Sequence, residues 1–250
     1  KLVPVVRMGK ENLVADLPNV ERVISTTDIF SEGELWWAKQ CQGVDTIIHA
    51  AWYAEPGKYL QSSKNVDCLT GSINLFRGAM KAGVNRFVGI GTCVEYDLAN
   101  DILSVDTPLK PITPYAASKA ALFLTLSQWL PTQLMGFAWC RLFYLYGDGE
   151  DERRLVPYIR KQLQNSQPAE LTSGKQIRDF LDVIEAGRKI ADIALGDQTG
   201  PLNVCSGVPI TIRQLAEQIA NEYGRKDLLR FGARSDNLGD PPCIIGMPTT

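Results

Sequence analysis

The 250-residue chain has few of the side chains that most often build metal sites. It has a single histidine, His49, and its six cysteines are scattered without a Cys-x-x-Cys pair. A site built from clustered imidazole or thiolate ligands is therefore excluded, and no metal is expected. The cysteines are expected to be reduced thiols, most of them buried.

Long apolar runs and an excess of charge are also absent. No stretch of about 18 apolar residues is present to span a bilayer, and no secretory signal is visible at the start of the chain. The formal net charge of −2 gives no reason to expect nucleic acid or an anionic membrane as a partner. The composition therefore favours a cytoplasmic enzyme.

Short apolar runs alternate with helix-like segments along residues 1–150. The strand-like runs are 2–6, 44–51, 86–91 and 137–145, and the helical segments are 59–82 and 115–130. This alternation predicts an α/β fold with a parallel sheet covered on both faces.

After Gly149 the pattern changes. A charged helix at 151–164 is followed by short strands at 169–172 and 201–205 and by two further helices, one of which starts at a Thr211–Gln214 capping box. We expect residues 151–250 to form mainly a smaller α+β lobe that binds substrate. Within it, 175–197 is expected to pack back on the first domain.

Three residues in the middle of the chain offer acid–base chemistry. Tyr115 and Lys119 stand four apart in a helical segment, so they share one face, and the ammonium is expected to lower the pKa of the phenol. Thr92 follows the run 86–91 and should present its hydroxyl at the carboxyl edge of the sheet, where ligands bind. The Tyr-x-x-x-Lys spacing alone also arises by chance, so its context decides.

That context is a set of motifs in a fixed order along nearly the whole chain. They are Asp28-Ile29, His49-Ala50-Ala51, Phe87 to Thr92 with Tyr96, Pro114 to Lys119, Arg141-Leu142-Phe143 with Tyr146-Gly147, Arg178-Asp179-Phe180, and Asn203-Val204 with Ser206-Gly207. In these motifs the chain resembles the extended short-chain dehydrogenase/reductase family, the NAD-dependent epimerase/dehydratase group that acts on nucleotide sugars. The resemblance implies a Rossmann-like, doubly wound sheet and an NAD(P)-dependent enzyme.

The resemblance also implies roles for the three central residues. Tyr115 would be the acid/base, Lys119 its partner on the nicotinamide ribose, and Thr92 would orient the reacting sugar oxygen. The glycine-rich turn that opens such a fold is not found in this sequence. We therefore expect Lys1 to fall where the family's second strand begins, with roughly 25 to 30 residues before it.

The cofactor-binding residues follow from the same comparison. Arg7 ends the first strand-like run, where an arginine suits the 2′-phosphate of NADP, although it is alternatively a solvated loop residue. Asp28 and Ile29 resemble the pair that contacts adenine, and the aspartate is equally suited to cap a helix. Ala50 and Ala51 are implied to contact the cofactor. NADP is expected, with NAD as the alternative.

The substrate-binding residues are Thr92, Tyr144 and Arg178. Arg178 resembles the arginine that holds a nucleotide-sugar phosphate, and a guanidinium suits that bidentate task; a plain surface charge is the alternative. Tyr144 stands where the family often has Asn. His49 is expected to be hydrogen-bonded in place beneath the cofactor rather than to transfer protons.

The residues after Thr92 distinguish the family's reactions. The sugar 4,6-dehydratases carry an Asp-Glu pair there, whereas this chain has Cys93 and Val94, and Glu95 would face the wrong way on an extended segment. Reduction of a nucleoside-diphosphate 4-keto-6-deoxyhexose is therefore expected. A 4-epimerase with tightly held NAD is the alternative, and a non-catalytic NADP-binding regulator is a third hypothesis. The resemblance suggests a homodimer formed through segments 59–82 and 115–130.

Overall fold

The computed structural model describes residues 1–237 and 239–249. Numbered in chain order, its strands are β1 Val5–Arg7, β2 Ile24–Thr26, β3 Thr46–His49, β4 Arg86–Thr92, β5 Ile102–Leu103, β6 Gly136–Leu142, β7 Tyr144–Tyr146, β8 Ala169–Leu171, β9 Ile177–Asp182, β10 Gly200–Val204, β11 Pro209–Thr211, β12 Leu229–Phe231 and β13 Cys243–Gly246. Its α-helices are α1 Glu34–Gln40, α2 Lys64–Lys81, α3 Pro114–Trp129, α4 Leu155–Gln164, α5 Val183–Leu195 and α6 Ile212–Glu222.

A four-stranded parallel sheet in the order β10-β6-β4-β3 forms the centre of the molecule. β1 and β2 form a separate parallel pair. The Rossmann-like α/β prediction is confirmed. One placement was wrong: the strand expected in the substrate lobe at 201–205 is β10, which pairs with β6 in the central sheet.

Both faces of the central sheet are covered, as its apolar strands require. On one face, side chains of α1, α2 and α3 pack around Phe87 and Phe137. On the other face, Ala186 and Ile193 of α5 pack against Val88 of β4. The alternation of Phe87 and Val88 between the two faces is the two-residue period of a strand.

A second sheet lies beyond the central one, in the order β11-β9-β13-β5, with β7 also paired to β9. The apolar run 137–145 was predicted as one strand, but it is divided at Phe143 into β6 and β7, which belong to different sheets. The chain therefore leaves the central sheet at the end of β6 and joins the second sheet after a single residue, Phe143. Helices α4 and α6 pack together beside β8 and β12.

The predicted helices exist with shorter bounds. Segment 59–82 is divided into a 3-10 turn at Tyr59–Gln61 and α2, and the charged helix at 151–164 begins only at Leu155. The Thr211–Gln214 capping box is confirmed: the threonine hydroxyl accepts from the backbone of Gln214, whose side chain accepts from the backbone of Thr211.

Candidate active site

Thr92 is the last residue of β4, at the carboxyl edge of the central sheet. The chain then turns at once into a 3-10 helix at Cys93–Glu95, for which Thr92 is the N-cap. Its hydroxyl accepts from the backbone of Val94 at 3.5 Å, and the Glu95 carboxylate accepts from the backbone of Thr92 at 2.8 Å. This reciprocal cap fixes both the main chain and the side chain of Thr92.

Tyr115 lies in the first turn of α3, which begins at Pro114 and is capped by the Thr113 hydroxyl. Proline suits this position because a first-turn N–H has no intrahelical partner. The Thr92 side chain neighbours the phenol and acts to lower its pKa. The ring also meets that of Tyr59 edge-on, with the centroids 4.7 Å apart.

The expected electrostatic tuning of Tyr115 was wrong. Its pKa is raised above the ordinary value, first by burial and then by the neighbouring phenol of Tyr59, while Thr92 opposes the rise. Lys119 is not among the groups that act on it. The four-residue spacing places both side chains on one helix face, but the Tyr115 phenol and the Lys119 amine contact different groups.

Lys119 points into the protein, with 2 % of its surface exposed. Its amine donates to the carbonyl of Ile90 in β4 at 2.5 Å and lies 4.0 Å from the ring centroid of Trp52, a cation–π contact. Burial lowers the pKa of this amine to about 7, against the opposing field of Glu95. Lys119 is therefore close to half protonated at neutral pH.

The predicted cofactor residues lie in different environments. Arg7 is exposed at the end of β1, and Ala50 and Ala51 are exposed directly after β3. Asp28 is exposed and accepts from the backbone of Phe30 at 3.0 Å, so it closes a local turn and does not cap α1, whose N-cap is Gly33. Ile29 packs partly into the core.

His49 has the structural setting that the sequence predicted. Its Nε2 and the hydroxyl of Ser72 are 2.7 Å apart, and its ring packs near those of Phe30 and Phe87. Burial, together with Lys119, lowers the pKa of the imidazole to about 3. The ring is therefore neutral at physiological pH and unsuited to carrying a proton.

Arg178 is not a surface charge. It lies on β9 with 3 % of its surface exposed, 2.8 Å from a carboxylate oxygen of Asp240. Its guanidinium carbon is 5.4 Å from the ring centroid of Tyr144, which begins β7. Burial raises the pKa of Tyr144, so its phenol is neutral. Arg178 and Tyr144 thus form a neighbouring pair on the paired strands β7 and β9.

The described part of the chain contains neither a candidate metal cluster nor a candidate membrane-spanning helix. Within residues 1–237 and 239–249, no group of three or more His, Cys, Asp or Glu side chains is arranged to hold a metal ion. No helix in the same described part of the chain combines the length and apolarity needed to cross a membrane.

Comparison with known proteins gives the family. The family model described as "NAD dependent epimerase/dehydratase family" matches residues 10–198. The chain belongs to this family. Its membership confirms the resemblance drawn from the motifs, and with it an enzyme of the extended short-chain dehydrogenase/reductase type.

Individual members of the family are distant from this chain. It is 24% identical to a dTDP-6-deoxy-L-talose 4-dehydrogenase (NAD(+)) of Aggregatibacter actinomycetemcomitans, over 80% of this chain and 74% of that protein. The dTDP-glucose 4,6-dehydratase of Streptomyces venezuelae, solved with NAD, superposes with a TM-score of 0.81 at 20% identity, covering 99% of this chain and 88% of that one. The UDP-N-acetylglucosamine 4-epimerase of Methanobrevibacter ruminantium superposes with a TM-score of 0.82 at 22% identity, covering 100% of this chain and 90% of that one. These structures establish a shared fold.

Sequence reasoning missed a buried polar network beneath this family member's site. Glu95 is fully buried and accepts from Arg141 Nε at 2.7 Å and from the indole N–H of Trp139. Arg141 also donates to the Tyr96 hydroxyl at 3.0 Å, which donates in turn to Asn203 at 2.7 Å. The expectation that Glu95 lies on an extended segment was wrong, because residues 93–95 form a 3-10 turn.

One signal in the sequence pointed to this network. Arg141 interrupts an otherwise apolar strand-like run, and a charge in a buried strand needs a partner. The partner was not readable, because Glu95 is 46 residues away along the chain.

Proposed function

We propose that this protein is an NAD(P)-dependent oxidoreductase that reduces the 4-keto group of a nucleoside-diphosphate 4-keto-6-deoxyhexose. The observation that supports it is the neighbouring pair of hydroxyls, Thr92 and Tyr115, at the carboxyl edge of β4. Such a pair can hold a carbonyl oxygen and give it a proton. Reduction of a ketone needs one proton donor in addition to the hydride that the nicotinamide cofactor supplies when bound.

The phenol of Tyr115 is the proton donor that this step needs. Because burial raises its pKa, it is protonated at neutral pH. A 4-epimerase would use the same residue, first as a base and then as an acid, so the choice of the reductase rests on Arg7 and on the NADPH that a reduction consumes.

The residues after Thr92 argue against dehydration. Cys93 is buried, and burial raises the pKa of its thiol to about 12, so it is not a ready acid or base. Val94 has no ionisable group. The Glu95 carboxylate accepts hydrogen bonds from Thr92, Trp139 and Arg141, so both of its oxygens are engaged.

A nicotinamide nucleotide fits the polar groups at this edge. Tyr115 would face the nicotinamide ribose, and Lys119 would join it once the Trp52 ring that packs on its amine moves aside. The small, exposed Ala50 and Ala51 after β3 would allow close approach. Arg7, also exposed, would bind the 2′-phosphate of NADP. The related talose dehydrogenase is described with NAD(+), so the preference for NADPH rests on Arg7 alone.

The assay supplies complete protein with NADPH and a nucleoside-diphosphate 4-keto-6-deoxyhexose. One NADPH should be oxidised for each sugar reduced, and Arg7→Asp should narrow or invert the preference over NADH. A nucleotide hexose interconverted at carbon 4 with no net change in cofactor would replace this proposal by the 4-epimerase. If the protein binds NADP but turns over neither substrate, the non-catalytic NADP-binding regulator is the hypothesis that remains.

The homodimer remains a proposal. Val66 on α2 and Leu124 on α3 are 58% and 53% exposed, and large apolar side chains on neighbouring helices favour an intersubunit contact. Light scattering at micromolar concentration should give twice the monomer mass. A monomer would contradict the assignment.

A further inference from the structure

Glu95 receives hydrogen bonds at both carboxylate oxygens. Oε1 accepts from the backbone N–H of Thr92 at 2.8 Å, and Oε2 accepts from Arg141 Nε at 2.7 Å. The indole N–H of Trp139 lies 3.2 and 3.1 Å from the two oxygens. All three partners are donors, and a protonated carboxyl would need an acceptor for its own hydrogen. The arrangement therefore fits an ionised carboxylate.

Two glycines of β4 make the space for this arrangement. A β-carbon at Gly91 would lie 2.2 Å from the indole nitrogen of Trp139 and 2.6 Å from Glu95 Oε1. A β-carbon at Gly89 would lie 2.4 Å from the same indole ring. The indole thus packs against β4 at two positions that have no side chain, and its N–H reaches the carboxylate. The two glycines and the indole together form the pocket that holds the Glu95 carboxylate.

Glu95 and Lys119 both lie close to that indole. The Lys119 amine is 6.0 Å from the Trp139 ring centroid, and Glu95 is the group that most strongly favours the charged form of the amine. The thiol of Cys68 on α2 acts in the same sense. The imidazole of His49 on β3 also faces the amine but is neutral. Arg141 pairs with Glu95, and its positive charge opposes the effect of the carboxylate on the amine.

We propose that Glu95 is a positioning residue of the active site, which acts through Thr92 by a backbone hydrogen bond and through Lys119 by its negative charge. The carboxylate fixes the end of β4, so that the Thr92 hydroxyl meets the Tyr115 phenol. Its charge offsets part of the cost of burying the amine. This inference rests on the proposed function for its catalytic consequence, but the effect on Lys119 is testable without substrate.

The decisive variant is Glu95→Gln. The amide is nearly the same size and keeps an oxygen for the Thr92 N–H, but it removes the charge. Titration of Lys119, followed by NMR of isotopically labelled lysine side chains and assigned with Lys119→Met, should move to lower pH by roughly half a pH unit or more. Asp97→Asn, which removes a nearby half-exposed carboxylate paired with Lys110, is the matched control and should leave the midpoint in place.

The catalytic arm uses NADPH and the 4-keto sugar nucleotide. Glu95→Gln should lower kcat roughly tenfold with little change in KM for the sugar, and the alkaline limb of the pH profile should move with the Lys119 midpoint. An unchanged midpoint in Glu95→Gln would overturn the proposal, whatever the activity. If Glu95→Gln moves the Lys119 midpoint but the wild type has no reductase activity, the proposed function is refuted and the effect of Glu95 on Lys119 stands.

A second variant covers the case in which Glu95→Gln does not fold, since it leaves Arg141 buried without its partner. Glu95→Gln combined with Arg141→Met removes both charges. The double variant is compared with Arg141→Met alone, so that the difference between their Lys119 midpoints isolates the charge of Glu95, and the double variant should show the lower midpoint. A midpoint equal to that of Arg141→Met would again overturn the role of Glu95.

Discussion

The buried amine of Lys119 should leave a measurable signature in the pH dependence of stability. Its pKa falls from an ordinary 10.5 in the unfolded chain to about 7 in the folded protein, because burial disfavours the charged form. Between these two values the unfolded state holds more protons than the folded state. Stability must therefore rise with pH through this window, and it is lost as pH falls toward about 7.

The size of the effect follows from the same two values. Each pH unit in the window is worth at most about 1.4 kcal/mol for a single group. Because Lys119 is only partly deprotonated near its folded pKa, integration from about pH 7 to about pH 8.5 gives on the order of 1–2 kcal/mol. Lys119→Met removes the ionisable group. The wild type should therefore gain about that much free energy of unfolding relative to the variant.

The assay is urea unfolding at both pH values for wild type, Lys119→Met and Lys39→Met. Lys39 is exposed on α1, so its variant should follow the wild type. Buried cysteines act in the opposite sense, since burial raises the pKa of Cys41 to about 11, but they are common to all three proteins and cancel in the difference. Equal pH dependence in wild type and Lys119→Met would refute a lowered pKa at Lys119.

Three other predictions concern single side chains. Tyr115→Phe should lower turnover roughly 100-fold while NADP(H) affinity, measured by fluorescence titration, changes little; a near-normal rate would end its assignment as the acid. Arg178→Ala should reduce the preference for nucleotide-linked over free sugar, measured as kcat/KM, whereas Arg188→Ala, at an exposed position of α5, should not; equal losses would remove the phosphate role. Gly91→Ala should cost about 1–3 kcal/mol of stability in urea unfolding, because its β-carbon would lie 2.2 Å from the indole nitrogen of Trp139. Gly187→Ala, whose β-carbon would have no atom within 4 Å, should be neutral or stabilising. A larger loss of stability in Gly187→Ala than in Gly91→Ala would contradict this account of the packing.

Local patterns in the sequence were enough to determine the fold class and the central residues of the site. Apolar runs that alternate with helical segments require a covered parallel sheet, and that architecture places Thr92 at a strand end. Tyr115 and Lys119 share a helix because their spacing matches its period. The Thr211–Gln214 cap is equally local, since its groups are three residues apart.

Contacts between distant segments were decided only by tertiary structure. Residues 201–205 had the pattern of a short strand, but whether that strand joins the lobe or the central sheet depends on β6, far earlier in the chain. The pairing of Glu95 with Arg141 and of Arg178 with Asp240 likewise joins residues with no local relation.

The ionisation of the site was also decided by burial rather than by spacing. The Tyr115 phenol and Lys119 amine share a helix face, yet the pKa of the phenol rises and that of the amine falls. Desolvation outweighs their mutual effect, and its strength depends on how many atoms of other segments surround each group. A sequence lists the ionisable groups, but only the packed structure sets how much water each one loses.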